Sequence, residues 1–280
     1  MIASPLPHES LLFAAKKLPA APQILARLGQ LLGDPDAGLD DIIGLLRRDS
    51  GLTALVMRVA NSAAYNSGAS FESLEQALPR IGLSEVYRLT GFAAAAQLAD
   101  RSLPFYGISG ARLRENSLFT GLVAEALSKS VRIDPRAAYT AGLLRSTGKI
   151  VIDQLMRSPG YSSGHAARRE TPLADWETGV VGLSNCEVAE IVLDAWHFSG
   201  KTIAAIRYHY EPGPEAPLLA HVLHLAAAAA ESCGHPLPGE SNYWTLIDDK
   251  LLRAGIDEDV VRLAAIHAEG VFASVRAALS

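Results

Sequence analysis

Apolar residues recur at intervals of three and four along almost the whole chain, and no stretch alternates convincingly with period two. Intervals of three and four return a side chain to the same face of an α-helix, whereas alternation would mark one face of a strand. Ile24, Leu25, Leu28, Leu31 and Leu32 outline one short amphipathic helix. Leu39, Ile42, Ile43 and Leu46 outline a second, and Leu52, Leu55, Val56 and Val59 a third. Between them lie "GDPDAG" (33–38) and "RRDSG" (47–51), where Gly and Pro end one helix and Asp36 or Asp49 can cap the next. The same pattern returns at Leu74, Ala77, Leu78 and Ile81, then at Phe119, Leu122, Val123, Ala126 and Leu127. It returns again at Val188, Ile191, Val192, Ala195 and Trp196. The expected fold class is therefore all-α.

A chain of 280 residues is at the size where single cores begin to divide. The texture breaks at "DRSLPFYGISGARLRENS" (100–117), rich in Gly, Pro and Ser between Ala-rich helical runs. This predicts an N-terminal helical lobe over 1–105 and a C-terminal helical lobe over 106–280. Two further irregular stretches, 157–177 and 232–244, read as a surface loop and as the separator before the last helices.

Composition narrows the function classes. The net charge is −5, and the basic doublets Lys16-Lys17, Arg47-Arg48 and Arg168-Arg169 are scattered rather than gathered into the footprint that phosphate neutralisation requires. Nucleic acid is not an expected partner. Cys186 and Cys233 lack CxxC spacing and read as thiols of a reducing, cytoplasmic setting. Neither a signal peptide nor a membrane span is expected.

"AGLLRSTGKIVIDQL" (141–155) carries a Gly148-Lys149 pair that invites a phosphate-loop reading. Counting excludes it: five residues rather than four separate Gly142 from Gly148, and Ile150 stands where a hydroxyl should meet Mg²⁺. His221 and His224, three apart, share a helix face, but no carboxylate follows until Glu231, so packed or capping histidines are the simpler reading. The acidic runs Asp40-Asp41, Asp248-Asp249 and Asp257-Glu258-Asp259 fit first turns of helices, where negative charge favours the dipole. No G-x-S-x-G elbow occurs.

Taken in order, "LPAAPQ" (18–23), "ANSAAY" (60–65), "SLEQALPRIGL" (73–83), "AYTAGLLRSTGKIVI" (138–152), "CEVAEIVLDAWHF" (186–198) and "IRYHYEP" (206–212) resemble the HDOD family, the HD-related output domains of bacterial signalling. The resemblance runs over about residues 18–230. It implies a two-lobed multi-helix fold, an N-terminal helical bundle plus a lobe similar to the HD phosphohydrolases, whose active members hold divalent metals with histidines and aspartates. The corresponding positions here are Asn116, Arg145, Ser146, Asn185 and Ala227, and only His209 keeps a ligand-type side chain. One histidine cannot assemble a catalytic centre that needs at least three protein ligands, and Arg145 sets a permanent positive charge beside the cation position.

The resemblance therefore implies a non-catalytic regulatory domain, an output module linked to two-component or cyclic-dinucleotide signalling that binds a protein partner or a small ligand. The alternative is an HD-type phosphohydrolase with atypical ligands, using His209 with His221 or His224. Arg145, Lys149 and His209 form a candidate site for a small anionic ligand, since Arg forks onto phosphate oxygens and Lys supplies a point charge. The competing reading has Arg145 filling the former metal cavity and pairing with a nearby carboxylate. Asn61, Ser62 and Tyr65 of "ANSAAY" carry the family pattern and are expected to close a helix and pack beneath it. Expected contacts are signalling proteins and a second copy of the chain, with no cofactor and no membrane.

Overall fold

The computed structural model describes residues 7–62, 66, 68, 70–157, 164–165, 171–244 and 248–279, with side chains to residue 274. Tyr65, and most of the loop expected over 157–177, lie outside the described residues. Every regular element among those described is a helix, apart from one isolated bridge between Leu103 and Ile108. The expected all-α class holds.

The chain divides into two units. One comprises Pro19–Gln97 with Val271–Ser280, the other Met1–Leu18 with Leu98–Gly270. Sequence texture put residues 1–105 together, but the first helix, α1 (His8–Ala15), packs on α9 (Thr147–Met156) and α11 (Asn185–Ala195) of the second unit. Long-range packing, not local composition, decides where α1 belongs.

The 19–97 unit is built from α2 (Ala21–Leu31), α3 (Leu39–Leu46), α4 (Ser50–Ala60), α5 (Leu74–Ile81) and most of α6 (Leu83–Leu98). Leu25, Leu28, Leu46, Leu52, Val56 and Leu78, read from their spacing as inward-facing, are fully buried. Asp49 caps α4 by accepting from Leu52 N at 2.8 Å. Asp36 does not cap α3. Gly38 holds that position, and Asp41 reaches back to accept from its backbone N–H at 2.9 Å. Asn61 ends α4, and its side chain pairs with the backbone of Phe71, accepting from its N–H (2.7 Å) and donating to its carbonyl (3.0 Å). Ser62 Oγ donates to Val59 O at 2.7 Å. Both side chains close the end of α4.

In the other unit, the stretch expected to be irregular to residue 117 becomes helical at Gly110, because Ser109 accepts from Arg112 N and starts α7 (Gly110–Ser128). Around α7 pack α8 (Pro135–Leu144) and α13 (Leu218–Ser232), and α12 (Gly200–Tyr208) joins α8, α11 and α13. α10 (Leu173–Val181), α14 (Asp248–Ala254) and the start of α15 (Glu258–Leu279) complete the unit. α13 is buried from Leu219 to Ala230, as its almost uniformly apolar sequence requires. No helix among the described residues is long and apolar enough to cross a membrane.

Candidate functional site

The stretch 141–155 is not one helix. α8 ends at Leu144, α9 begins at Thr147, and Arg145-Ser146 form the joint between them. At the second residue of α9, a Cβ on Gly148 would collide with the carbonyl of Asn185. Only glycine lets α9 lie this close to α11, and the approach sets Arg145 and Lys149 at the centre of the unit.

Both cations are fully buried, and both meet one carboxylate. Arg145 Nη1 donates to Glu240 Oε1 at 3.0 Å, while Nη2 lies 2.9 Å from Glu240 Oε2 and donates to Asn116 Oδ1 at 2.6 Å. Lys149 Nζ pairs with the same Glu240 Oε1 and donates to Tyr210 Oη at 2.7 Å. Tyr210 Oη in turn donates to Glu240 Oε1 at 2.8 Å. Arg145, Lys149 and Glu240 side chains are all 0% exposed. Burial alone would push the Glu240 carboxyl upward, but the charges of Arg145 and Lys149 outweigh it and hold the group well below the usual carboxylate range. The Arg145 guanidinium also sits 5.5 Å from the centre of the Trp244 ring, within cation–π reach.

His209 lies beside this cluster. Its Nδ1 is 2.8 Å from Ile206 O, so the proton sits on Nδ1, and the buried Nε2 keeps a lone pair with no hydrogen-bond partner among the described residues. Burial, then the Arg145 charge, drives its pKa down to about 3, so the ring is neutral. It stacks on Tyr210, with ring centres 4.3 Å apart. Cys186 Sγ stands 3.8 Å from His209 Nδ1, and burial raises this thiol far above its ordinary range. That is the opposite of an activated nucleophile.

A second buried carboxylate, Glu177, backs the site. Its Oε2 accepts from Asn185 N (2.7 Å) and Nδ2 (3.0 Å), and its Oε1 accepts from Tyr106 Oη (2.9 Å). Asn116 is bound on its other side as well, donating through Nδ2 to His235 O at 2.6 Å.

The residues present do not fit a metal centre. Arg145 and Ala227 offer no lone pair to a cation, Asn116 Oδ1 is taken by Arg145, and His209 Nε2 is one nitrogen where three or more ligands are needed. Among the described residues, no three His, Cys, Asp or Glu side chains gather to hold a metal ion. His221 and His224 do share a face. However, His224 Nδ1 meets His209 O at 2.9 Å and His221 bonds the Gly213 backbone, so both serve the packing.

The structure thus brings Asn116, Arg145, Lys149 and His209 together, sets Asn185 one contact away through Cys186, and leaves Ser146 and Ala227 buried nearby without a role in the ion pairs. Arg145 and Lys149 are engaged by Glu240 rather than open to a ligand. Sequence reading missed Glu240, Tyr210, Glu177 and Trp244. The available signal was indirect: two cations inside the apolar run Leu143–Ile152 demand a buried counter-charge, but nothing local says which. Beside the cluster opens a cleft of about 570 Å³, lined in part by Asn185, Cys186, Arg207, Tyr210, Gly239 and Tyr243.

Comparison with known proteins agrees with this architecture. The HDOD domain family model matches residues 18–212. An uncharacterized protein of Treponema pallidum (strain Nichols) is 24% identical over 233 residues, 81% of this chain and 44% of its own length. The chain therefore spans under half of that relative. An HDOD domain protein of unknown function from Geobacter sulfurreducens superposes with a TM-score of 0.67 at 21% identity, covering 96% of this chain and 97% of its own. A Shewanella amazonensis SB2B protein, provisionally named a phosphohydrolase, gives 0.64 at 21% identity and covers 97% and 98%. These likenesses establish the shared fold. The family match spans more than half of the chain, in the order its sequence motifs run from "LPAAPQ" to "IRYHYEP", and the chain belongs to the HDOD family.

Proposed function

We propose that this chain is a non-catalytic regulatory domain of bacterial signal transduction that acts by binding a protein partner or a small ligand. The observation that carries this reading is the arrangement at the centre of the second unit. At one of the positions where the HD resemblance puts metal ligands, the chain carries the Arg145 guanidinium, which shares one internal carboxylate with the ammonium of Lys149 four residues on. Arg145 holds its charge at any physiological pH, so a divalent cation there would face a fixed positive charge and a single imidazole. A Marinobacter aquaeolei VT8 protein, provisionally named a signal transduction protein, shares the fold with a TM-score of 0.64 at 20% identity. This chain covers 64% of it. A role as an output module of two-component or cyclic-dinucleotide signalling accords with that family setting.

The test is incubation of the purified protein with Mn²⁺, Mg²⁺ or Fe²⁺ and a panel of nucleotides and phosphoesters. No turnover above the metal-only blank is expected. Turnover that disappears in His209→Ala would overturn the proposal and establish a phosphohydrolase with atypical ligands.

A further inference from the structure

Glu240 reaches the buried cations from the irregular stretch between α13 and α14, "GHPLPGE" (234–240). Gly234 and Gly239 bracket it with φ of 87° and 86°, a region that costs side-chain-bearing residues energy. Pro236 and Pro238 supply no backbone donors. Asn116 ties the stretch down at His235 O, and Glu240 ties it down at its far end.

At that far end two cations share one carboxylate in direct contact. Arg145 and Lys149 together carry two positive charges, and Glu240 brings one negative charge. Glu177 supplies a further negative charge within the field of Lys149, but its oxygens are hydrogen-bonded to Asn185 and Tyr106 rather than to either cation. Arg145 Nε, Ser146 Oγ and Thr147 Oγ1, at the joint where α9 begins, are buried without a hydrogen-bond partner among the described residues. The start of a ten-residue helix adds oriented N–H groups. Glu240 Oε2, although 2.9 Å from Arg145 Nη2, also lacks a well-aligned hydrogen bond among the described residues, so the carboxylate does not reach these donors.

The cluster also adjoins the cleft. Tyr210 lines the cleft while donating to Glu240, and Gly239, the residue before Glu240, lines it too. Its volume of about 570 Å³ falls in the usual range for small-molecule sites. Tyr210 and Tyr243, with ring centres 4.5 Å apart, offer a surface for a planar group.

We propose that Arg145 and Lys149 form a latent binding site for a phosphate-terminated small molecule, and that Glu240 is the internal anion that occupies this site until such a ligand displaces it. A dianionic phosphate would set two charges in direct contact with the cations where Glu240 sets one, and its extra oxygens could reach the unpartnered donors. Released from the cations, the 234–240 stretch would move at its two glycines and carry one wall of the cleft with it. The proposal rests on the reading of the chain as a binding domain and names its ligand class.

The test uses inorganic phosphate and the full chain. In Glu240→Gln the internal anion is lost, so phosphate should raise the melting temperature saturably above a potassium chloride control of equal ionic strength. The expected rise is about 5–10 °C at a hundredfold excess over Kd. Glu240→Gln combined with Arg145→Met should lose that difference. Should Glu240→Gln not fold in chloride, its recovery on refolding in phosphate alone supports the site. Failure in both salts is decided with Glu240→Asp, whose shorter carboxylate reaches one cation less well: a larger rise in melting temperature in phosphate than in chloride supports the site, and equal rises overturn it. Equal shifts in phosphate and chloride, or an undiminished phosphate effect without Arg145, would overturn the proposal. Phosphoester turnover by the native protein would remove the parent reading without touching phosphate rescue, so the two failures are distinguishable.

Discussion

Replacing Glu240 by glutamine keeps the shape of the side chain and removes its charge. Glutamine can still accept through its carbonyl oxygen, from Arg145, Lys149 or Tyr210, but its amide nitrogen only donates. Four contacts now converge on the carboxylate: Arg145 at 3.0 and 2.9 Å, Tyr210 at 2.8 Å, and Lys149. With that anion gone, two fully buried cations lose their only directly bonded carboxylate among the described residues, and Glu177 acts on Lys149 only through its field. Removing one partner of a buried ion pair costs about 3–5 kcal/mol, most of it the penalty of the charge left behind. We expect Glu240→Gln to lose about that much in chloride buffer. Arg145→Met, Lys149→Met and Glu240→Met combined should recover most of it, since apolar side chains of similar volume leave no charge to solvate. Guanidinium unfolding followed by tryptophan fluorescence is the suitable assay, because Trp176, Trp196 and Trp244 all lie in the 98–270 unit. The signal therefore reports that unit alone. A loss under about 1 kcal/mol, the range of exposed pairs, would refute the reasoning, as would a triple variant no more stable than the single one.

Acid should weaken the same unit in two stages. Burial and the Arg145 charge hold His209 down at about 3, and burial and Lys250 hold His224 down at about 4. Both rings stay neutral in the fold while the unfolded chain protonates them below about 6.5. The unfolded state then binds more protons, so stability falls as pH drops from about 6.5 toward 4, by up to about 1.4 kcal/mol per pH unit for each histidine. Glu240, depressed in the fold, adds a further loss once the pH passes below the ordinary carboxylate range. Urea titrations across pH 7.5 to 4 should show the slope, reduced in His224→Gln; a flat profile would contradict the assignment. At the α9–α11 contact, Gly148→Ala should destabilise by about 1–3 kcal/mol through overpacking against the Asn185 carbonyl. Calorimetry checks this, and a neutral effect would mean the helices part freely.

Much of the architecture was legible because helical spacing is a local property. The run Leu74, Ala77, Leu78, Ile81 needed no partner to reveal α5, and Asp49 announced the start of α4 by chemistry acting over three residues. Reading failed at one local signal and wherever distant segments decide. The Gly-, Pro- and Ser-rich texture of 100–117 suggested a break between lobes, yet within it Ser109 caps a helix that absorbs Gly110 and the following residues, a local signal that the texture masked. The joint at Arg145-Ser146 was hidden inside a continuous apolar run. Asn61 was read correctly as a helix-closing residue, although its partner ten residues on could not be named.

By itself, the sequence determined that the chain is helical and that it carries the HDOD pattern. The helical character is a matter of residue type and spacing, while the resemblance implies that Asn116, Arg145, Ser146, Asn185 and Ala227 stand where HD relatives carry metal ligands. Tertiary structure alone decided what became of the two buried cations. Glu240 stands 95 residues from Arg145 and 91 from Lys149, in a Pro- and Gly-rich stretch that reads as an exposed turn. A buried charge must be met by an opposite one wherever the chain can supply it, and spacing along the sequence carries no record of that pairing.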